Sequence, residues 1–182
     1  MSKSNRYAVK IVPYNPKWPL EFEKEKQRLL HILDANIVTI EHTGSTSIPN
    51  LDAKPIIDMF AGVHPLLNEA VYANLLRSSG YRYVETGMTG RHLLAKELKG
   101  ERTHHLHILP IEGFNGRKEL LFRDYLRKHP ELVKEYGELK YVLAEQYHSD
   151  PEGYTRAKTA FIQQVDDLAR TELGLPLRNV WD

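Results

Sequence analysis

The sequence predicts an α+β fold, with a mixed β-sheet flanked by helices over about residues 10–112 and a helical C-terminal part over about 115–172. Three observations point there. Short β-branched runs alternate with helical spacings in the first part. One run, PIIDMFAGV, is almost continuously apolar, as in a strand buried on both faces. After Gly116 the apolar spacing is helical, and strands followed by helices describe an α+β chain.

Each element follows from local chemistry. Asn15 and Pro16 make a cap and first turn, and Trp18, Phe22, Leu29 and Leu33 keep a helix running to about Asp34. IVTIEHTG reads as a strand that ends at Gly44. The turn-rich STSIPNLDAK leads to the apolar PIIDMFAGV strand. Pro65 is expected to open a helix through Leu66, Ala70, Ala73 and Leu76, stopped by Gly80. YRYVE, HLLAKEL and HHLHILPI read as further strands, with a hairpin turn at Gly100-Glu101 between the last two. Two helical stripes close the chain: Leu132, Tyr136, Leu139 and Leu143, then Tyr154, Ala157, Phe161, Val165 and Leu168 behind an Asp150-Pro151 cap. Both stripes are core positions.

Composition narrows the class of function. The 182 residues fit one domain, with the helical part as an appended layer. They include no cysteine, which removes disulfides and thiolate zinc sites and suits a cytoplasmic protein. No apolar run has the length of a membrane helix, and the N-terminal segment lacks the features of a secretion signal. With 25 basic against 24 acidic residues, the net charge of +1 gives no electrostatic footprint for nucleic acid. No membrane partner is expected, and a homo-oligomer stays open. Of the nine histidines, His104, His105 and His107 crowd one strand.

The chemistry-bearing segment is His42-Thr43-Gly44-Ser45-Thr46, followed at a dozen residues by Asp58 on the next strand. A glycine at a strand end lets a phosphate come close to the backbone. Ser45 and Thr46 add hydroxyl donors, and the following N–H groups suit an anion. Asp58 is then positioned to hold a divalent cation beside that phosphate, since magnesium favours one or two carboxylates plus phosphate oxygens. The plainer reading is a common turn followed by a strand whose single aspartate is paired. A charge in so apolar a strand demands a partner or a metal.

Gly-Ser at a strand end followed by Asp on a second strand resembles the signature of the DNA polymerase beta-like nucleotidyltransferase superfamily. The longer string EHTGSTSIPNLDAKPIID resembles the hallmark of the GrpB family, as do FRDYLRKHPELVKEYGELKYVLA and YTRAKTAFI in the helical half. The likeness spans about residues 10–165. The superfamily implies a nucleotidyltransferase-like mixed sheet, Mg²⁺ or Mn²⁺, and a nucleoside triphosphate; the GrpB family implies no established reaction. One position departs. The superfamily places a second carboxylate two residues after the first, and here that residue is Phe60.

Two histidines are the expected substitutes. In HHLHIL, His105 and His107 point to one face. If that strand lies beside the Asp58 strand, as the superfamily's third carboxylate strand does, both imidazoles reach Asp58. Two histidines and a carboxylate suit a transition metal better than magnesium. The alternative is that they hydrogen-bond to Asp58 or Glu41, or that His107 is a core residue. Lys54, inside the family-like string, is the expected phosphate-neutralising cation. Arg91, Arg123, Glu41 and His42 are further candidates, with Glu41 and His42 on opposite strand faces.

The resulting expectation is a nucleotide- and divalent-metal-binding, nucleotidyltransferase-like protein that transfers a nucleoside monophosphate to a small-molecule acceptor. Gly44, Ser45, Thr46 and Lys54 would hold phosphate; Asp58, His105 and His107 would hold metal, with Asp58 catalytic. The alternatives are a non-catalytic nucleotide-binding module, for which Phe60 speaks, and a metal-dependent phosphohydrolase.

Overall fold

The computed structural model describes residues 9–180. The chain forms two compact units, one made of Pro16–Ser47 and Ile56–Phe114, the other of the remaining described residues. The first carries the sheet and the second most of the helices. Besides the residues from Asn115 on, the helical unit takes in Ile48–Pro55 and residues 9–15.

In the sheet unit, α1 spans Trp18–Leu33, β1 Ile37–Thr43, β2 Ile57–Val63, α2 Glu69–Leu76, β3 Tyr81–Val84, β4 His92–Leu98 and β5 Glu101–Pro110. The strands form one mixed sheet in the order β1-β2-β5-β4-β3. Only the central β2–β5 pair is parallel; the flanking pairs are antiparallel. β2, with partners on both sides, is the most apolar strand, as its sequence anticipates.

Helix α1 buries Trp18, Glu25, Leu29 and Leu33. Glu25 thus occupies a core position. Its carboxylate accepts from Lys96 at 2.9 Å and from the Tyr81 hydroxyl at 3.0 Å, with Arg28 at 3.3 Å. Those partners make the buried charge tolerable, and hold its pKa below the usual value against the opposing effect of burial. Phe22, expected in the stripe, stacks at 4.7 Å on His42.

Two turn expectations shift. The helix expected from Pro65 begins at Glu69, where Asn68 caps it by accepting the Ala70 N–H. Asn is the better cap chemically, because its side chain satisfies a first-turn donor. The β4–β5 hairpin turns at Lys99-Gly100, one residue earlier than read; both residues have positive φ, 53° and 83°. Such a pair matches the twist of a two-residue hairpin.

In the helical unit, α3 spans Lys118–Lys128, α4 Pro130–Gln146, α5 Pro151–Ala157 and α6 Thr159–Glu172. Ile48, Leu51, Leu126, Val133, Tyr136, Phe161 and Val165 form its main core. Tyr136 and Phe161 stack there at 4.8 Å. The last stripe is split, because α5 ends at Ala157 and α6 starts at Thr159. α6 then buries Phe161, Val165 and Ala169, and Leu168 turns outward. Asp150 caps α5 by accepting the Gly153 N–H at 2.9 Å, as its sequence position suggests. Among the described residues no helix is long and apolar enough to cross a membrane.

Candidate functional site

Strand register assembles the site on one face of the sheet. Thr43 pairs with Asp58, and Asp58 pairs in turn with His105. One step along, Glu41 pairs with Phe60, and Phe60 with His107. Directly paired residues share a face, so Glu41, Asp58, Phe60, His105 and His107 all lie on this one. His42 and His104 alternate to the opposite face. There His42 stacks on Phe22 of α1, and His104 is pushed down to about 4, chiefly by burial. The expected separation of Glu41 from His42 is what the register produces.

The Asp58 carboxylate accepts from His105 Nδ1 at 2.9 Å. Burial works to raise the Asp58 pKa, but the His105 hydrogen bond and neighbouring imidazoles outweigh it and hold the carboxyl below its usual value. A charged carboxylate only accepts, so His105 carries a proton at Nδ1. As the neutral imidazole it keeps its lone pair on Nε2. That atom is buried and has no hydrogen-bond partner. The Asp58 and His105 side chains are 31% and 20% exposed, so a ligand can meet the edge of this pair, while Nε2 itself is covered.

Gly44 is where the strand end meets the carboxylate. Its φ is +67°, and a Cβ built on it would lie 2.9 Å from Asp58 Cβ and Cγ and closer still to Oδ2. The space opened by the missing side chain is therefore filled by Asp58. A short 3-10 turn, Ser45–Ser47, follows; Ser47 donates to the Gly44 carbonyl from both N–H and hydroxyl. The Thr46 hydroxyl is internal, donating to the Ile56 carbonyl at 3.0 Å with His42 Nε2 also at 3.0 Å. Ser45 is the half-exposed hydroxyl of the turn.

Arg91 completes the face. Its Nε–H donates to His107 Nδ1 at 3.0 Å, and its guanidinium lies 4.7 Å from the Phe60 ring centroid. Phe60 also meets His107 edge-on at 5.3 Å. Burial and then the Arg91 charge push His107 down to about 3, so it is neutral near pH 7. Phe60 is thereby explained: it is a platform for a cation.

The remaining candidates lie in the helical unit. The Lys54 ammonium sits 4.7 Å from the Tyr154 ring centroid. Arg123 is buried and donates from Nε to Asp124 at 2.7 Å.

The residues present do not fit the divalent-metal centre that the superfamily implies. His107 accepts at Nδ1 from Arg91, so its proton is on Nε2 and neither nitrogen has a lone pair to give. His105 has one lone pair, and Asp58 orients it by accepting from its other nitrogen. The second carboxylate position is a buried phenyl ring with a guanidinium on it. Among the described residues no group of three His, Asp or Glu side chains is placed to hold a metal ion.

A mixed five-stranded sheet with helices marks an α+β protein. Residues 8–167 match the model of the family described as GrpB protein. The chain belongs to the GrpB family. The solved structure of the conserved protein GrpB from Enterococcus faecalis is 37% identical, with TM-score 0.78 over 91% of this chain and 99% of its own. UPF0157 protein YqkA of Bacillus subtilis is 39% identical over 89% of this chain. The match spans only 47% of YqkA, so this chain covers about half of that relative's length. The Cid1 poly(U) polymerase is a distant likeness at 14% identity and TM-score 0.47, over 72% of this chain and 45% of its own.

Proposed function

We propose that this chain binds a nucleoside triphosphate or a closely related phosphate ester on the Asp58–His105 face of the sheet. His105 then acts as the proton acceptor for transfer to a small-molecule acceptor. The observation that carries the reading is His105 itself. Its Nδ1 is fixed on an ionised carboxylate, and its Nε2 is buried without a partner. That is the arrangement of an oriented general base. Arg91, stacked on Phe60 and steadied by His107, supplies the positive charge for the phosphate, with Ser45 as a hydroxyl donor.

In this reading the acceptor hydroxyl gives its proton to His105 Nε2 as its oxygen bonds to the α-phosphorus. The bond to the β-phosphate breaks, and pyrophosphate leaves with the electron pair. Asp58 stabilises the imidazolium that forms. No step requires a cation in the place that Phe60 occupies.

A second reading, nucleotide binding without turnover, is favoured by Phe60, because the second carboxylate of the superfamily signature is missing. Calorimetric titration with nucleoside triphosphates in EDTA, paired with a pyrophosphate-release assay, tests both. Binding in EDTA that falls at least about 10-fold in Arg91→Ala supports the site, tenfold being the ~1.4 kcal/mol scale of a charge-assisted contact. Pyrophosphate release that His105→Gln abolishes supports transfer, whereas binding with no release supports the module. Binding that vanishes in EDTA and returns with Mg²⁺ would overturn the proposal.

A further inference from the structure

The turn between β1 and β2 is held from the far side of the sheet. His42 faces away from Asp58 and is 5% exposed, its ring stacked on Phe22 of α1 at 4.7 Å with an interplanar angle of 12°. Burying an imidazole is costly unless its nitrogens find partners. His42 Nε2 lies 3.0 Å from the Thr46 hydroxyl oxygen, and that oxygen lies 3.0 Å from the Ile56 carbonyl. Thr46 has one hydroxyl proton, and a carbonyl can only accept, so the proton goes to Ile56. The Thr46 oxygen then accepts from His42 Nε2–H. Phe22, His42, Thr46 and Ile56 thus tie α1, β1, the 3-10 turn and the entrance of β2 into one chain of contacts.

We infer that His42 is a positioning residue: through Thr46 it holds Gly44 and Ser45 in place against Asp58. What the turn then binds is the phosphate of the proposed function, on which this role rests. The hydrogen bond, and not the ring, is what the turn uses. A phenyl ring would stack on Phe22 as well, so packing alone does not call for histidine at this buried position. The turn also has little slack, since a Cβ on Gly44 would stand 2.9 Å from two Asp58 carbons. Within the turn, Ser47 donates to the Gly44 carbonyl from its N–H and its hydroxyl. Those bonds shape the turn but move with it. Thr46, by contrast, is fastened to the residue before β2, so the link from His42 sets where the turn lies.

Calorimetric titration with a nucleoside triphosphate in EDTA, alongside long-range ¹H–¹⁵N NMR of the ligand-free imidazoles, tests this role. His42→Phe keeps the stack and removes the donor; Thr46→Val keeps the shape and removes the hydroxyl. Each should weaken triphosphate binding about 5-fold, the scale of one net hydrogen bond, and the double variant should lose no more, because both changes cut one link. His42→Gln keeps a nitrogen donor at a similar reach and should bind within about 2-fold of the parent. Without ligand, the neutral His42 ring should carry its proton on Nε2, and Thr46→Val should move that signal. Parental affinity in a folded His42→Phe, additive losses in the double variant, or a neutral ring protonated on Nδ1 would overturn the inference. A parent that binds no triphosphate, with His42 Nε2 protonated and responsive to Thr46→Val, would instead overturn the proposed function and leave His42 as the residue that fixes the turn.

Discussion

Gly44→Ala probes the contact on which the sheet site depends. Gly44 has φ +67°, and a Cβ there would stand 2.9 Å from two Asp58 carbons. Two costs follow. Holding a non-glycine residue in the left-handed region costs about 1 kcal/mol. Forcing a methyl against a packed side chain costs about 1–3 kcal/mol more. The expected loss is therefore roughly 3 kcal/mol, or a fall of roughly 6–12 °C in melting temperature for a chain of this size. Gly100→Ala is the matched control, because Gly100 has φ +83° and nothing within 4 Å of a built Cβ. It should pay only the backbone cost of about 1 kcal/mol. Urea denaturation of both variants, and of Gly44→Ala in an Asp58→Ala background, separates the two costs. With Asp58 truncated, the excess over Gly100→Ala should disappear. Equal losses for Gly44→Ala and Gly100→Ala in the parent background would refute the close approach, and with it the account of why glycine precedes Ser45.

Two pH predictions follow from the buried bases. His107 is held at about 3 in the folded chain against an ordinary 6.5, so the unfolded state binds its proton first. Stability should fall as pH drops from 6.5 towards 3, and His107→Gln should shallow that slope in urea denaturation at stepped pH; an unchanged slope would remove His107 as a cause. Lys140 is held at about 7 against an ordinary 10.5, so stability should rise as pH climbs between those values. Lys140→Met should remove this rise, and a Lys140→Met curve parallel to the parent would show that the lysine is not buried as described.

Much of the sheet was legible because strand periodicity is strict. The alternation in HHLHIL puts His105 and His107 on one face whatever the neighbouring strand is, and the parallel β2–β5 pairing then brings His105 to Asp58. The role of His107 was not legible. Its partner Arg91 precedes β4, and no local pattern links residue 91 to residue 107. Phe60 read as an absent carboxylate for the same reason, since its function as an arginine platform is a three-residue contact from three segments. Lys140 was hidden inside a helical stripe. It stands four residues after Tyr136, at a core position where a lysine is rare, and that spacing is the signal that could have exposed it. The helix expected from Pro65 starts four residues later, because the Asn68 side chain satisfies a first-turn N–H there.

On the proposed function, His105 keeps an unpartnered Nε2 beside Asp58 and meets a phosphate ester without a metal. Long-range ¹H–¹⁵N NMR of the imidazoles, with His105 assigned by comparison with His105→Gln, measures this directly. In EDTA, with the imidazole in its neutral form, the proton is expected on His105 Nδ1, facing Asp58, and not on Nε2. Addition of a nucleoside triphosphate should shift the Nε2 resonance while the sample is still free of divalent cations. A proton found on Nε2, or an Nε2 signal that moves only after Mg²⁺ or Mn²⁺ is added, would contradict it.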